Sequence, residues 1–336
     1  MNAVKKFLER GKLLSPEVLE EVGSLDVEQI EDLVSSDELV VTKSDIKRLT
    51  IPEPRIVHFD YQESDEVHIS EFTQFYLDRF EFLKNEVKKR LDGANISSIN
   101  NLSSGRSSVI GMVRKIDDGG VVLEDKTGEL VLKTDEKFIE DEVIGVEGNV
   151  IKNKDIVMSP SNIVYPDVPL RKEVATTEQE LKAMFVSGIG KDTKKAIENV
   201  NPDYIISTSS KGVNGMDVVH ISDEQGDLSD IDPLRCSIGD VRILVHKGYA
   251  VEDAKKNLGM DTREAFVSLL KKRHLDPVEM HSLKDRYLIK EVPDIIHISG
   301  DKEIMTNYKG VTLLSTTDKT AFLVNLKTRE IDKIEL

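Results

Sequence analysis

The chain has 336 residues, enough for two or three domains, and its 39% hydrophobic and 32% charged content suits a soluble globular protein. A formal charge of −16 and a pI near 5.0 exclude broad nonspecific nucleic-acid binding over the whole surface, because phosphate backbones repel an acidic chain. A single cysteine, Cys236, excludes an intramolecular disulfide and a cysteine-built zinc site within the chain, and predicts a reducing cytoplasm.

No run of eighteen apolar residues occurs, so no membrane helix is expected. The N-terminal stretch MNAVKKFLERGKLL lacks the uninterrupted apolar run of a signal peptide. Tryptophan is absent and aromatics are 5%, which leaves few platforms for stacking single-stranded bases.

Residues 1–50 read as short amphipathic helices. Val4, Phe7 and Leu8 recur at helical spacing. Ser15-Pro16-Glu17 offers an N-cap, a first-turn proline and an early acid. Ser24, followed by Asp26 and Glu28, suggests a second start. Helices this short need tertiary packing, in a small bundle or against a partner. Residues 51–94 hold a linker marked by Pro52 and Pro54 and then a longer helix from about Ser70 to Leu91. Phe72, Phe75, Tyr76, Phe80, Leu83 and Val87 form its apolar stripe, and Gly93 ends it.

Across residues 95–168 the pattern turns to period two. Ser108 to Val113, Val121 to Glu124, Leu130 to Leu132 and Asp141 to Gly148 read as strands. Tight turns fall at Asp117-Asp118-Gly119-Gly120 and Lys126-Thr127-Gly128-Glu129. Short strands with such turns suit a small barrel of the OB-fold type. Few basic or aromatic residues stand on those strands. Over residues 169–336 short apolar runs alternate with helical stretches, as in a layered α/β domain. Strands are expected at Met184-Phe185-Val186, Tyr204 to Ile206, Val218 to Ile221, Val241 to Val245, Ile295 to Ile298, Val311 to Leu314 and Ala321 to Val324. A helix is expected from Asp192 to Val200. The fold class is thus multidomain α+β: N-terminal helices, an OB-type barrel and a layered α/β domain.

From about residue 65 onward, the order of these segments resembles the small subunit of archaeal D-family DNA polymerase and the B-subunits of eukaryotic replicative polymerases. The stretches that carry the resemblance are Ile69 to Leu91, Ser108 to Val113, Asp141 to Gly148, Ile163 to Pro169, Leu270 to Pro277 and Val292 to His297. The resemblance implies an OB-fold joined to a calcineurin-like phosphoesterase domain. It also implies a two-metal centre, with ions about 3.5–4 Å apart, held by carboxylates and imidazoles at strand ends.

This chain departs from that ligand set. Where the family has Asp-x-His, it reads Ser187-Gly188-Ile189-Gly190. The Gly-Asp position reads Ser207-Thr208-Ser209-Ser210. The Gly-Asn-His-Asp position reads Ser222-Asp223-Glu224-Gln225-Gly226-Asp227. His246 survives after its strand, and Gly-His-x-His becomes Ser299-Gly300-Asp301-Lys302. Lys302 would set a positive charge beside two divalent ions. So Gly188, Gly190, Ser209, Ser210, Gly300 and Lys302 are degenerate positions and His246 is vestigial. No catalytic residue, metal or cofactor is expected. His246 and His297 fit hydrogen-bonded core histidines at strand ends. Asp223, Glu224 and Asp227 fit an acidic loop better than a stray cation site. Arg273 and His274 sit at a basic helix end, where they suit the helix dipole or a contact with a partner or DNA.

Other motifs are absent. Gly188-Ile189-Gly190 before Lys191 evokes a phosphate loop without its spacing. Neither H-E-x-x-H nor G-x-S-x-G occurs, and Cys236 has no base near it in sequence. The leading expectation is a noncatalytic accessory or scaffold subunit of a DNA polymerase. It would bind the large catalytic subunit and reach DNA through the complex. The alternatives are a residual metal-dependent 3′–5′ exonuclease or phosphoesterase built on Asp223, Asp227 and Asp301, and an OB-type single-strand-binding regulator.

Overall fold

The chain divides into two units, Met1–Arg55 and Ile56–Leu336. The computed structural model describes residues 3–16, 18–19, 22–25, 27–35, 39–42, 45–46, 51–57, 68–91, 95–117, 119–170, 172–209, 232–277 and 285–336.

In the first unit, helices α1 (Ala3–Glu9) and α2 (Val27–Ser35) accompany a two-residue parallel ladder of β1 (Leu13–Leu14) and β2 (Val40–Val41). Phe7, Val18, Val22, Ile30, Leu33, Val41 and Ile46 form its core. One expected helix start is corrected, and a second helix begins within the expected residues but after its expected cap. The Ser15 amide donates to the Val41 carbonyl (3.0 Å), so the backbone there continues the ladder. Its hydroxyl has no partner among the described residues. Ser24 ends a short 3₁₀ turn, Val22–Ser24, and the following helix begins at Val27.

The short strand β3 (Arg55–Ile56) falls on the boundary, and helix α3 (Ile69–Lys88) follows in the second unit. His68 caps α3, with the Glu71 carboxylate accepting from the His68 amide (3.0 Å). This is the reciprocal arrangement that satisfies first-turn donors. Phe80, Leu83 and Val87 pack on Ile110, Met112 and Val143 of the barrel. Phe72, expected in the stripe, remains 43% exposed. Helix and barrel approach closely at Gly145, where an added Cβ would lie 2.5 Å from the Val87 Cγ1.

The barrel is closed and five-stranded: β4 (Gly105–Asp117), β5 (Gly120–Asp125), β6 (Gly128–Leu132), β7 (Val143–Lys152) and β8 (Ile156–Val164). Its strand order is β4-β5-β6-β8-β7, with β6 and β8 parallel, so the barrel is OB-like. Val109, Val113, Val121, Leu123, Leu130, Leu132, Ile144, Val146 and Met158 fill it. Strand β8, unforeseen in the sequence, carries Pro160 opposite Gly148 beside a bulge. An added Cβ at Gly148 would sit 2.2 Å from the Ser159 carbonyl oxygen, so only glycine lets the strands close there.

Two sheets make up the rest. The first, in order β10-β9-β16-β17, joins β9 (Lys182–Val186), β10 (Tyr204–Ser207), β16 (Thr320–Asn325) and β17 (Ile331–Glu335). The second runs β14-β15-β13-β12-β11-β3, from β11 (Leu234–Ile238), β12 (Val241–His246), β13 (Ile295–Ser299), β14 (Ile304–Tyr308) and β15 (Val311–Thr316). Helix α4 (Lys191–Val200) covers the first sheet, its Ala196 and Ile197 packing on Met184, Val186 and Ile205. Helices α5 (Tyr249–Leu258) and α6 (Thr262–Lys272) cover the second, with Val251, Phe266 and Leu269 on Leu244, Ile296 and Leu313. The Phe185 and His297 rings link the sheets edge to face, with centroids 5.3 Å apart. Helices therefore lie outside and the sheets face each other. The strand expected at Val218 to Ile221 and the helix end at Gly93 lie outside the described residues. No helix among the described residues is long and apolar enough to cross a membrane.

Candidate functional site

Parallel pairing brings strand ends together in each sheet. In the first, β9 and β10 run parallel with a helix between them. The Thr208 hydroxyl donates to the Ser187 carbonyl (3.0 Å) and its amide to the Val186 carbonyl (3.2 Å). An added Cβ on Gly188 would lie 3.7 Å from the Ser209 Cβ. These two expected site positions are therefore neighbours. Gly190 is the N-cap of α4. Ser210, Asp223, Glu224 and Asp227 lie outside the described residues.

In the second sheet, β12, β13 and β15 are parallel neighbours. His246 ends β12 with its ring fully buried. Its Nδ1 is 2.8 Å from the Asp232 carboxylate, which also accepts from the Lys247 amide (3.1 Å). Tyr249 packs edge-on at a centroid distance of 4.6 Å, and Tyr287 lies at 6.0 Å. The outer nitrogen of His246, Nε2, has no hydrogen-bond partner among the described residues. Gly248 follows with φ +94°, and an added Cβ would be 1.9 Å from the Ser299 carbonyl oxygen. That turn requires glycine for both reasons.

Gly300 donates to the Thr316 carbonyl (3.0 Å). The Lys302 carbonyl accepts from the Ser315 hydroxyl (2.8 Å), and the Lys302 side chain is exposed. Asp301 is drawn toward the covering helices, where Lys255 holds it at 2.8 Å and the Thr262 hydroxyl lies at 3.4 Å. Lys255 also keeps its carboxyl below the usual range. His297 is buried beside Thr316, with Nε2 2.9 Å from Oγ1. Burial pushes its pKa down to about 3.

Among the described residues no three His, Cys, Asp or Glu side chains gather where they could hold a metal ion. The donor set that they offer is one imidazole already turned to a carboxylate. Two hard cations require several anionic oxygens to offset the loss of water, so these residues do not fit a two-metal centre.

The expectation for Arg273 and His274 is corrected. Neither faces outward: Arg273 is 3% exposed and His274 1%. Arg273 donates to the Ile289 and Lys290 carbonyls (2.9 and 2.5 Å) and to Glu86 of α3 (3.1 Å). His274 Nε2 lies 2.8 Å from Asp285. From α3, fully buried Arg79 meets the same Asp285 at 2.5 Å and donates to the Pro277 carbonyl. Burial works against the Asp285 carboxylate, but His274 and Arg79 outweigh it and hold its pKa far below the usual range. Burial lowers the His274 pKa. Nearby, Lys272 of α6 pairs with Glu142 beside β7, and both are buried. Burial raises the Glu142 pKa despite this partner. These pairs form a seam joining α3 and the barrel to the two-sheet region. The sequence carried one signal for it: Arg79 lies four residues from both Phe75 and Leu83, on the buried face of an apolar stripe.

No protein-family model matches the chain, and no curated protein matches it. Solved structures give partial likenesses. The S. pombe Stn1–Ten1 complex matches at 20% identity over 21% of this chain and 75% of that one, with a TM-score of 0.18. The telomere capping protein Ten1 from Saccharomyces pombe matches at 19% over 21% of this chain and 79% of its own, also at 0.18. A structure described as a novel archaeal phosphodiesterase matches at 10% over 46% of this chain and all of its own, at 0.29. At these scores the likenesses decide nothing about function.

Proposed function

We propose that this chain is a binding protein, the noncatalytic accessory or scaffold subunit of a D-family DNA polymerase, docking the large catalytic subunit. One observation carries the reading. The strand ends where a calcineurin-like phosphoesterase sets its metal ligands bear Gly188, Gly190, Ser209, Gly300 and Lys302, and the remaining His246 is buried against Asp232. An OB-like barrel ahead of two facing sheets with outer helices supports the calcineurin-like layout. A scaffold kept without charged ligands is most simply a binding surface.

DNA reaches such a subunit through the complex. OB-folds bind oligonucleotides on the face of their second and third strands, here β5 and β6. Their outward-facing residues Val122, Glu124, Glu129 and Val131 include two acids, no base and no aromatic. The residual-nuclease alternative loses Asp301 to Lys255. Affinity purification of the full chain from its native cells tests the proposal. It should recover a large polymerase subunit in stoichiometric amount, and recovery of no replication protein would contradict it.

A further inference from the structure

The apolar stripe of α3 is covered along only half of its length. Phe80, Leu83 and Val87 are 5%, 1% and 0% exposed where they pack on the barrel. At the same helical spacing the stripe continues toward the N-terminus through Tyr76, Phe72 and Ile69. Exposure climbs there to 43% at Phe72 and 86% at Ile69. Beside this uncovered half, a groove of about 320 Å³ runs between α3 and the strands β4 and β5. Phe72, Tyr76, Leu77, Phe80 and Met112 supply its apolar lining. The Phe72 and Tyr76 rings stand 5.0 Å apart along its wall. The Tyr76 hydroxyl donates to Asp141 (3.2 Å), which fixes that ring in place. Contiguous apolar surface with a polar rim is the mark of an interaction site.

Charge at the rim says which partner fits. The two cations there are already held by acids of the chain itself. Arg114 pairs with Glu124 (2.7 Å) and Asp141 (2.9 Å), and Lys126 pairs with Glu81 (2.8 Å). Asp125 lines the groove, and Asp78 lies one turn before Glu81 on the same flank of α3. Neither makes an ion pair among the described residues. An incoming segment therefore meets net negative charge, on a chain whose formal charge is −16. The closed barrel gives β4 and β5 no free edge for an added strand. Recognition must then run through side chains, as when an amphipathic helix lays its apolar face into a groove. We propose that the N-terminal half of α3 and the β4–β5 wall dock a basic amphipathic helix of a partner protein, with large apolar residues filling the groove and lysines or arginines meeting Asp78 and Asp125. The surface is built from α3 and the barrel alone, and it stands whether or not the chain is a polymerase subunit.

Fluorescence anisotropy with the full-length chain and a labelled synthetic peptide tests this. The peptide spans about four helical turns, with leucine and phenylalanine on one face and lysine on the other. Saturable binding is expected, with a dissociation constant on the order of 10 μM at low salt. A peptide with glutamate in place of lysine should bind about tenfold more weakly, and salt should narrow that difference. Ile69→Ser with Phe72→Ser should weaken the lysine peptide about tenfold with little change in melting temperature, because both side chains are already exposed. Asp78→Lys, on the open surface, should weaken the lysine peptide and strengthen the glutamate peptide. Met305→Ser, at an exposed apolar residue of the second sheet, should change neither. Absence of saturable binding, equal affinity for the two peptides, or unchanged affinity in the Ile69/Phe72 variant would overturn the proposal. So would a dimer in sedimentation that this variant converts to a monomer, since a second copy would then own the face.

Discussion

Two regions of the molecule use polar chemistry in opposite ways. At the seam between α3 and the two-sheet region, charges are buried and paired: Arg79 with Asp285, Arg273 with Glu86, Lys272 with Glu142. At the strand ends the described residues bring few charges: Gly188, Gly190, Ser209 and Gly300 stand there, and the Lys302 side chain is exposed. Buried charge is costly unless it is matched. Its presence at the seam marks where this chain relies on a fixed arrangement of its parts. Among the described residues it is scarce at the strand ends, as the proposed noncatalytic reading requires.

The comparison can be broken most forcefully at Arg79. Arg79→Met removes the guanidinium from Asp285 and leaves that buried carboxylate with His274 alone of its two partners, and should cost about 3–5 kcal/mol in denaturant unfolding. A cost near that of an ordinary surface change would mean that the seam does not hold the parts together. Acid is the next lever. His297 has a folded pKa of about 3 against an unfolded value near 6.5. The unfolded chain therefore takes up a proton that the folded chain refuses. Stability should be level above pH 6.5 and fall as pH drops from there toward 3, by on the order of 5 kcal/mol from this group. His274, lowered in the same direction, adds to the slope. Asp285, held low, contributes stability that is present above about pH 4 and lost below it. In urea midpoints measured against pH, His297→Gln should flatten the upper part of this slope, and an unchanged slope would refute the assignment.

Smaller effects separate the regions further. Gly145→Ala drives a methyl into Val87 and Leu91 and should cost about 1–3 kcal/mol by lifting α3 from the barrel. Ser209→Ala, at the strand ends, should stay within about 0.5 kcal/mol of the parent. A larger loss there would show that the strand ends also carry the fold.

The barrel was legible because its strands alternate cleanly and its turns carry Asp-Gly and Thr-Gly signals. Strand β8 was not, since Pro160 and the polar Ser159, Ser161 and Asn162 hide a strand that survives through a bulge and a glycine opposite. Helix α3 was legible from its stripe. At Ser15-Pro16, local capping chemistry suggested a helix, but ladder pairing with Val41 won. Arg273 and His274 misled for a related reason. A basic helix end reads as surface, yet Glu86 lies 187 residues away in sequence, and Asp285 lies 11 residues beyond His274, where local pattern does not place it. Strand-end glycines and serines were plain in the sequence.

The central claim is that this chain binds and does not hydrolyse. Titration of the full-length chain with manganese, followed by incubation with single-stranded DNA, tests it most directly. The account predicts no tightly bound pair of ions and no cleavage above a metal-free control. Two bound manganese ions per chain together with metal-dependent release of nucleotides would contradict it.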